Sequence, residues 1–532
     1  MNRECFLIKA NLHDNTNMRA LFDLLESNYI HMKKKIILII TSLCLIVNLN
    51  AQELYIGTAV ADITPALPVA VQGQFYLRIA QIAETPLTAN VIALESQEGS
   101  HSLDAVIMVS CDVVKIPGEL LELVRHEVHK QIPEFDVNKI FLNATHTHTS
   151  PVIENGVHSS FRYQIPKEGV LQVEEYHKYF VKRVSEAIVE AWNKRRPGGS
   201  VSWGLSHAAI AYNRRVVYSK EATDSGPFAN GSARMYGNTN SPEFINLEGM
   251  EDHDVNTLFF WNKNGEVIAM AINIACPAQE VEGRLAVNAD YWHPVRESLK
   301  QQYGSDLCVL GWIGAAGDQS PRPLYRKAAE QRMIKLRNLN SLEEIARRIV
   351  LAVEEAYETV KEDRYFNVQL THKVEVLNLP MRLVTEEEFE FSKTERDKYA
   401  AQIAADSNTA TQVLARMTWN ADVVKRFEKQ KEILHPELET EVHIVRIGDI
   451  VVCTSQFELF TDYGIRIQAR SKALQTFNIQ LVGSGTYLPT EKAVKGGGYS
   501  AIIQSNLVGP EGGQILVDRT VELINELWNE SN

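Results

Sequence analysis

Residues 105–114 read AVIMVSCDVV, an apolar run of strand length that decides the fold class. A run without polar alternation is typical of a strand buried on both faces, as in parallel sheets covered by helices. Residues 118–132 follow with apolar side chains at helical spacing, and residues 137–143 form a second apolar strand. Because strand, helix and strand come in this order, the sequence predicts a β-α-β unit.

Strand and helix patterns continue to alternate along the rest of the chain. Further strands are predicted at 257–261, 267–275, 307–312 and 368–376, and helices at 173–196, 341–361 and 517–529. The helix at 341 is predicted to open with a capping box of Ser341 and Glu344, and residues 441–453 to form a hairpin across Gly448. We therefore expect an α/β fold, a layered mixed β-sheet domain with flanking helices that occupies residues 52–532 as a single domain.

Residues 385–431 differ from the rest because they are charged and helical. Breaks are expected at Ser392 and at 406–408, where residues that disfavour helices occur. The segment is predicted to be a helical insertion or lid.

Composition excludes several classes of protein. The 532 residues are 45% hydrophobic and 23% charged, a globular balance that rules out a disordered chain. The net charge is −13, and no Lys/Arg block stands out in the body of the chain, so a nucleic-acid partner is not expected. Four scattered cysteines after residue 52 make no disulfide framework.

The amino-terminal segment has the pattern of a signal peptide. Three lysines at 33–35 precede an apolar run at 36–47, which ends near Ala51. The signal peptide is predicted at 32–51, residues 1–31 are interpreted as an upstream extension, and export to the periplasm or the extracellular space is expected. The apolar run is too short for a comfortable membrane span, so no transmembrane span is expected in the mature chain.

The densest polar signal is the sequence THTHTSP at 145–151, directly after a predicted strand. Side chains at i and i+2 of an extended backbone lie on the same face, so His146 and His148 can converge on one metal ion or one substrate group. Alternatively, they are two polar residues at a strand end that bind only water.

Other strand ends carry polar groups too. Residues 311–321 read GWIGAAGDQSP, in which small residues precede Asp318 and Ser320 and allow a ligand to approach closely. A turn stabilised by the aspartate is the alternative there. Glu458 follows another apolar strand, as either an inward ligand or a helix N-terminal charge. Cys276, Tyr487 and Tyr499 complete the set, the tyrosines being either ligands or packing residues.

At these residues the sequence resembles the neutral/alkaline non-lysosomal ceramidase family, in its catalytic N-terminal domain. The resemblance begins with GTAVADITP at 57–65, continues through THTHTSP at 145–151 and GDQSP at 317–321, and ends near Tyr499. The chain is identified as a divergent member of that family.

The resemblance implies one Zn²⁺ per chain. Its ligands would be His146, Cys276, Glu458 and Tyr487, where Cys276 stands in place of the family's second zinc histidine and a thiolate is an accepted zinc ligand. Alternatively, a neighbouring side chain reaches the metal and Cys276 is only packed; the candidates are Glu280, Asp290 and His293.

The resemblance also implies catalytic roles. Ser320 would be the nucleophile, with a zinc-bound water as the competing attacker, while His148 and Tyr499 would stabilise negative charge on oxygen. Asp318 or Asp112 is expected to orient a histidine. Arg214 would bind the substrate.

The expected function is therefore that of an exported zinc-dependent hydrolase that cleaves an amide bond of the N-acyl, ceramide-like type in a small-molecule or lipid substrate. One alternative is a metal-dependent hydrolase of glycans or esters on the same scaffold. A second alternative is a non-catalytic binding protein that has lost the metal.

Overall fold

The computed structural model describes residues 24–25, 29, 31–35, 52–156, 159–219 and 231–529. The chain divides into two compact units, one of residues 1–52 with 98–101 and one of residues 53–97 with 102–532. The described residues before Gln52 are helical. The apolar run at 36–47, on which the predicted signal peptide depends, lies outside the described residues. Within the described ranges, no helix is long and apolar enough to cross a membrane.

Ten α-helices occur in the described part of the chain after Gln52. They are α1 (Gly118–Gln131), α2 (Val173–Asn193), α3 (Trp292–Tyr303), α4 (Lys327–Leu336), α5 (Ser341–Val360), α6 (Glu386–Ala405), α7 (Ala410–Glu432), α8 (Thr461–Arg470), α9 (Glu491–Gly496) and α10 (Pro510–Asn529).

The same ranges contain the following strands: β1 (Gln52–Asp62), β2 (Val69–Val71), β3 (Arg78–Ala80), β4 (Thr88–Glu98), β5 (His101–Cys111), β6 (Ile140–Ala144), β7 (Ser200–His207), β8 (Tyr212–Asn213), β9 (Arg215–Tyr218), β10 (Ala233–Met235), β11 (Phe244–Leu247), β12 (Asp254–Trp261), β13 (Val267–Ile274), β14 (Cys308–Ile313), β15 (Gln319–Ser320), β16 (Leu370–Pro380), β17 (Glu437–Ile447), β18 (Ile450–Thr454), β19 (Glu458–Leu459), β20 (Gln475–Ile479) and β21 (Tyr487–Leu488).

Three four-stranded sheets organise the described chain. Sheet A has the order β1-β4-β5-β6, sheet B the order β14-β13-β12-β7, and sheet C the order β16-β17-β18-β20. Each sheet contains a parallel pair, namely β5 with β6, β13 with β14, and β18 with β20. Antiparallel pairs complete sheets B and C. The predicted mixed α/β architecture is confirmed.

One central core is shared by the three sheets, and each sheet also packs against helices. Strand β5 shows how: Val106 and Met108 belong to the shared core, whereas Ile107 and Val109 pack in a second cluster with α1 and α2. Helices α3 and α5 pack on sheet B, and α8 and α10 pack on sheet C. The apolar run at 105–114 is thus buried on both faces, as its composition predicts.

The carboxyl ends of the parallel pairs are linked by side-chain hydrogen bonds. Ser110 Oγ in β5 donates to the Gly311 carbonyl at 2.8 Å, and Asn143 Nδ2 in β6 donates to the same oxygen at 2.9 Å. Asn273 Nδ2 in β13 donates to the Asn478 carbonyl in β20 at 2.7 Å. Because these amides and hydroxyls are buried, their bonds fix the three sheets against one another where the loops begin.

Two element predictions need correction. Helix α6 runs unbroken through Ser392, whose side chain accepts a hydrogen bond from Gln504, and the break falls at 406–409. The capping box of α5 is formed by Asn340 and Glu343, one residue before the predicted pair. Glu344 is instead buried among arginines of α5 and the preceding turn.

Candidate active site at the ends of three sheets

His146 stands two residues beyond β6 in an unusual backbone conformation. Its φ is +63°, in the left-handed region that a β-carbon disfavours, and its N–H donates to the Val113 carbonyl at 3.0 Å. Its Nδ1 lies 2.7 Å from the Val114 carbonyl, an acceptor, so Nδ1 carries the proton. The Nε2 atom is consequently directed into the interior of the site. Backbone strain of this kind is often kept at functional sites.

Glu458 and Tyr487 are placed side by side by a short parallel ladder, in which β19 pairs with β21. Glu458 Oε2 lies 3.4 Å from His146 Nε2. Burial alone would raise the pKa of Glu458, but His146, Arg214 and Tyr487 outweigh it and lower that pKa, so the carboxyl is ionised. Burial and the Glu458 charge raise the pKa of Tyr487 well above its usual value, so this side chain is a phenol.

His148 is held by Gln279, a residue that the sequence analysis missed. His148 Nε2 lies 3.2 Å from His146 Nε2 and 2.8 Å from Gln279 Nε2. Arg214 Nη1 donates to Gln279 Oε1 at 3.0 Å, which fixes the orientation of the amide, so the Gln279 N–H donates to His148. The proton of His148 is then on Nδ1, which lies 3.4 Å from Glu282 Oε2. Burial lowers the pKa of His148 well below its usual value, so the ring is neutral.

Gly73 is needed behind the His148 ring. A β-carbon on Gly73 would lie 2.5 Å from His148 Cγ, and its φ is +105°. A glycine satisfies both the close approach and the left-handed backbone.

The only sequence signal for Gln279 and Glu282 was their position shortly after β13, at the same strand end as Cys276.

Cys276 is not brought to this cluster. Its thiol is buried among apolar side chains and donates to the Ile210 carbonyl at 3.3 Å. Burial raises the pKa of Cys276 well above its ordinary value, which favours the neutral thiol over the thiolate that would bind a metal. The expected fourth ligand is therefore absent from the side chains around His146.

The alternatives to Cys276 do not replace it. Asp290 accepts hydrogen bonds from the backbone N–H groups of Val281 and Tyr291, and Glu280 bonds to Ser341. His293 lies half-buried in the first turn of α3. Within the described ranges, none of these side chains contacts His146 or Glu458, and no three His, Cys, Asp or Glu side chains form a metal-binding group.

Arg214 connects the parts of the cluster. It is buried; its Nη2 atom donates to the Gly317 carbonyl at 2.9 Å and lies 3.2 Å from Tyr487 Oη. Desolvation would lower its pKa, but Tyr487, Tyr236 and Glu458 outweigh it and raise that pKa, so the guanidinium stays charged. The charge stabilises the Glu458 carboxylate and positions the Tyr487 phenol.

Ser320 is buried beside this arginine. Its Oγ contacts Tyr236 Oη at 3.3 Å and the Arg322 backbone N–H at 3.2 Å. In the part of the chain that the structure describes, no imidazole or carboxylate hydrogen-bonds to Ser320. A serine nucleophile needs such a partner.

Within the described residues, neither Asp318 nor Asp112 hydrogen-bonds to a histidine, contrary to expectation. Asp318 Oδ1 accepts from the backbone and hydroxyl of Thr461 at 2.9 and 2.7 Å, and Asp318 Oδ2 accepts from Asn213 at 2.8 Å. Asp112 pairs with Arg296 at 2.7 Å and accepts from the Thr145 hydroxyl at 3.1 Å. Both carboxylates thus fix loops that flank the site.

Two cavities meet at the cluster. The first, here named the aromatic cavity, is lined by the site residues His146, His148, Glu458, Tyr487 and Tyr499. It is also lined by four further rings: Phe75, Phe161, Tyr163 and Trp419. The second, named the charged cavity, shares His148, Tyr487 and Tyr499 and is also lined by Arg214, Arg234, Tyr236, Gln279 and Glu282. A substrate that crosses the cluster can therefore occupy both sides.

The donor set is suited to a cation. His146 Nδ1 bonds to the Val114 carbonyl, so Nε2 is the ring atom that faces the ionised Glu458 oxygen, at 3.4 Å. A proton or a metal ion can lie between these two atoms. Imidazole and carboxylate are both ligands that Zn²⁺ accepts.

The three-sheet architecture is that of the neutral ceramidase fold, which confirms the predicted resemblance at the level of structure. The crystal structure of neutral ceramidase from Pseudomonas aeruginosa matches with a TM-score of 0.60 and 17% identity, covering 89% of this chain and 75% of that chain. A ceramidase complexed with C2 matches with a TM-score of 0.60 and 15% identity, covering 90% and 76%. No family model and no curated protein sequence matches the chain.

Proposed function

We propose that this chain is a zinc-dependent hydrolase that cleaves an amide bond of the N-acyl type. One observation carries the proposal: His146 Nε2 and the ionised Glu458 carboxylate face each other at 3.4 Å and lie with Tyr487 where two cavities meet, an arrangement that can hold a cation. The fold supports the amide class, because the structures that it resembles are ceramidases. A fold alone does not fix a substrate, so a test on substrates is required.

His146, Glu458 and Tyr487 would hold one Zn²⁺ per chain, which matches the three protein ligands of many catalytic zinc sites. A bound zinc supplies Lewis acidity and lowers the pKa of a bound water. Cys276 is excluded from the proposed ligand set because its thiol bonds to the Ile210 carbonyl.

The remaining side chains bind and orient the reactants. Burial raises the pKa of Tyr499, so its hydroxyl stays protonated and can donate to an oxygen on which negative charge develops. His148 is fixed as a neutral ring by Gln279, with its Nδ1–H toward Glu282. Because no imidazole or carboxylate among the described residues hydrogen-bonds to Ser320, we assign this serine a positioning role and assign the attack on the carbonyl carbon to water.

Metal analysis of the purified chain tests the proposal. We expect about one zinc per chain, loss of the metal and of amide hydrolysis in His146→Ala, and retention of the metal in the control variant Cys276→Ala. Full activity of His146→Ala would refute the mechanism. A chain that binds no zinc would instead support the non-catalytic binding protein.

Export is a second part of the proposal. It is supported by the three lysines followed by an apolar run at 36–47. Amino-terminal sequencing of the protein secreted by an expressing bacterium should find a start near Gln52. Recovery of a chain that retains residues 32–51 in the cytoplasm would contradict this part alone.

A further inference from the structure

Arg215 follows the arginine of the cluster in the chain, but its side chain reaches a different set of groups. It is the first residue of β9, and its side chain is fully buried. Strand β11 pairs with β9, and the N–H of Glu248, directly after β11, donates to the Arg215 carbonyl at 2.8 Å. This pairing places the Glu248 carboxylate beside the Arg215 guanidinium. Neither cavity is lined by Arg215, so an effect of this residue on a bound substrate must pass through a neighbouring group.

The Arg215 guanidinium is shared between Glu248 and the loop that carries Tyr499. Its Nε donates to Glu248 Oε2 at 2.5 Å and its Nη2 to Oε1 at 3.0 Å, a bidentate ion pair. Nη1 also donates to the Tyr499 carbonyl at 2.9 Å and to Ser500 Oγ at 3.2 Å, and Nη2 donates to the Gly497 carbonyl at 2.7 Å. Because the carboxylate balances the charge, the guanidinium acts on this loop as a rigid set of hydrogen-bond donors.

The loop around Tyr499 has little backbone preference of its own. Gly497, Gly498 and Ser500 have φ values of +67°, +78° and +75°. Glycine adopts such values freely, but the β-carbon of Ser500 disfavours them, so surrounding contacts must hold that residue. A β-carbon on Gly498 would lie 2.4 Å from the Ala233 carbonyl oxygen, so a larger residue cannot stiffen the loop there. Hydrogen bonds from outside the loop therefore fix its path.

Tyr499 is the residue of this loop that reaches the site. Its ring centroid lies 5.4 Å from that of Tyr487 and 5.9 Å from that of Phe75, and its side chain lines both cavities. A hydroxyl stabilises developing charge best when its position is fixed before the reaction. We infer that Arg215, held by Glu248, is a positioning residue that directs the Tyr499 hydroxyl towards the oxygen on which negative charge develops. The inference rests on the proposed amide hydrolysis.

Substitution by lysine separates the two sets of bonds that the guanidinium makes. Arg215→Lys keeps a positive charge beside Glu248, but an ammonium on a flexible stem cannot also reproduce the fork that reaches the loop carbonyls. We expect kcat for the amide substrate to fall about tenfold or more, with KM and zinc content unchanged. The matched control is Arg195→Lys, in the buried ion pair with Glu95, which should leave kcat unchanged.

A double-mutant cycle with Tyr499→Phe tests the route of the effect. If Arg215 acts through the Tyr499 hydroxyl, Arg215→Lys causes no further loss of kcat once that hydroxyl is absent, whereas a purely structural role gives the same loss in both backgrounds. Fluorine NMR of the full chain labelled with 3-fluorotyrosine gives a readout without turnover, in which Tyr499→Phe identifies the Tyr499 resonance. We expect Arg215→Lys to shift or broaden this resonance and Arg195→Lys to leave it unchanged.

The outcomes separate this inference from the proposed function. A changed Tyr499 resonance in Arg215→Lys, without amide cleavage by the parent protein, refutes the proposed function and supports the placement of Tyr499 by Arg215. Amide cleavage by the parent, with an equal loss of kcat in the presence and absence of the Tyr499 hydroxyl or with no loss at all, leaves the proposed function standing and overturns the inference. An unchanged Tyr499 resonance also overturns it.

A second variant covers the case in which Arg215→Lys does not fold. Arg215→Met combined with Glu248→Leu replaces it, because an apolar pair in place of a buried ion pair is often neutral for stability. This double variant leaves no charge unpaired, yet it removes the same donors from the loop. The same loss of kcat and the same change in the Tyr499 resonance are expected, and the same results would overturn the inference.

Discussion

At the scale of single residues, the spacing of His146 and His148 predicted their proximity, and their Nε2 atoms lie 3.2 Å apart. That prediction assumed an extended backbone, but His146 has a left-handed φ, so the segment is not an extended strand there. Glu458 and Tyr487 were also predicted as site residues, from their positions near strand ends and from the family resemblance. Gln279 was missed in favour of Cys276, because loop conformation decides which residue after a strand points inward.

A substitution of Gln279 tests whether its amide positions the His148 ring. Gln279→Leu keeps the volume but removes the hydrogen bonds to Arg214 and His148. Loss of such supporting bonds typically costs about 10–100-fold in activity or metal affinity. We expect kcat/KM for the amide substrate to fall by that factor, with the fold unchanged by circular dichroism. An activity within twofold of the parent would show that the amide does not position His148.

A methyl group at Gly317 should disturb the site through Glu458. A β-carbon there would lie 2.4 Å from the Glu458 carbonyl oxygen, so the strand that carries the carboxylate must shift. Forced overpacking costs about 1–3 kcal/mol, and we expect Gly317→Ala to lose that much in urea unfolding and to bind zinc more weakly. Gly283→Ala, with nothing within 4 Å of its β-carbon, is the control. Equal stability of the two variants would contradict the packing argument.

At the scale of elements, apolar periodicity predicted which elements exist better than where they begin. Helix α5 was predicted to open with a cap at Ser341, yet the side chain of Asn340 accepts the Glu343 N–H and Glu343 bonds back to Asn340. A cap at Ser341 and a cap at Asn340 both fit the same sequence pattern. The burial of Glu344 among arginines decides between them. The missing break at Ser392 has a similar cause, because its hydroxyl has a partner in Gln504.

Substitutions at Asn340 should therefore weaken α5. Asn340→Ala removes the cap and is expected to cost about 1 kcal/mol of unfolding free energy, whereas Asn340→Gly should cost only a few tenths. Chemical denaturation of the two variants measures the difference. A larger loss in the glycine variant than in the alanine variant would place the cap elsewhere.

At the scale of the whole molecule, the β-α-β unit and the hairpin at 441–453 were predictable, but the meeting of three sheets was not. Hydrophobic patterns specify that a strand is buried and leave open which sheet covers it. The polar residues Ser110, Asn143 and Asn273 within apolar strands were the available signal. Their bonds join different sheets, and partners this distant in sequence cannot be read from spacing.

Acid should destabilise the molecule through a buried network between sheets A and C. His372 Nε2 lies 3.0 Å from His443 Nδ1, and His443 Nε2 lies 2.9 Å from Glu441. Burial lowers the pKa of both histidines, so the unfolded chain binds more protons below about pH 6.5 and stability falls as the pH drops. Burial alone would raise the pKa of Glu441, but bonds from His443 and Arg125 hold it at about 2, which adds a loss below about pH 4.5.

Urea unfolding at pH 7.5, 5.5 and 4.0 measures this dependence. We expect the midpoint to fall at each step, and the decrease between pH 7.5 and 5.5 to be smaller in His443→Gln, which cannot take up a proton. A midpoint that is constant from pH 7.5 to 5.5 would contradict the neutral assignment of the histidine pair.

The side-chain bonds between the ends of the three sheets have a consequence for when the site around His146 is assembled. The groups around His146 come from loops in the early, middle and late parts of the chain, so none of the sheets contains a competent centre by itself. Contacts between such distant segments form slowly, because long loops must close first. During refolding, sheet structure should therefore return well before the proposed zinc site forms, and proteolytic fragments that keep only one or two sheets should bind no zinc.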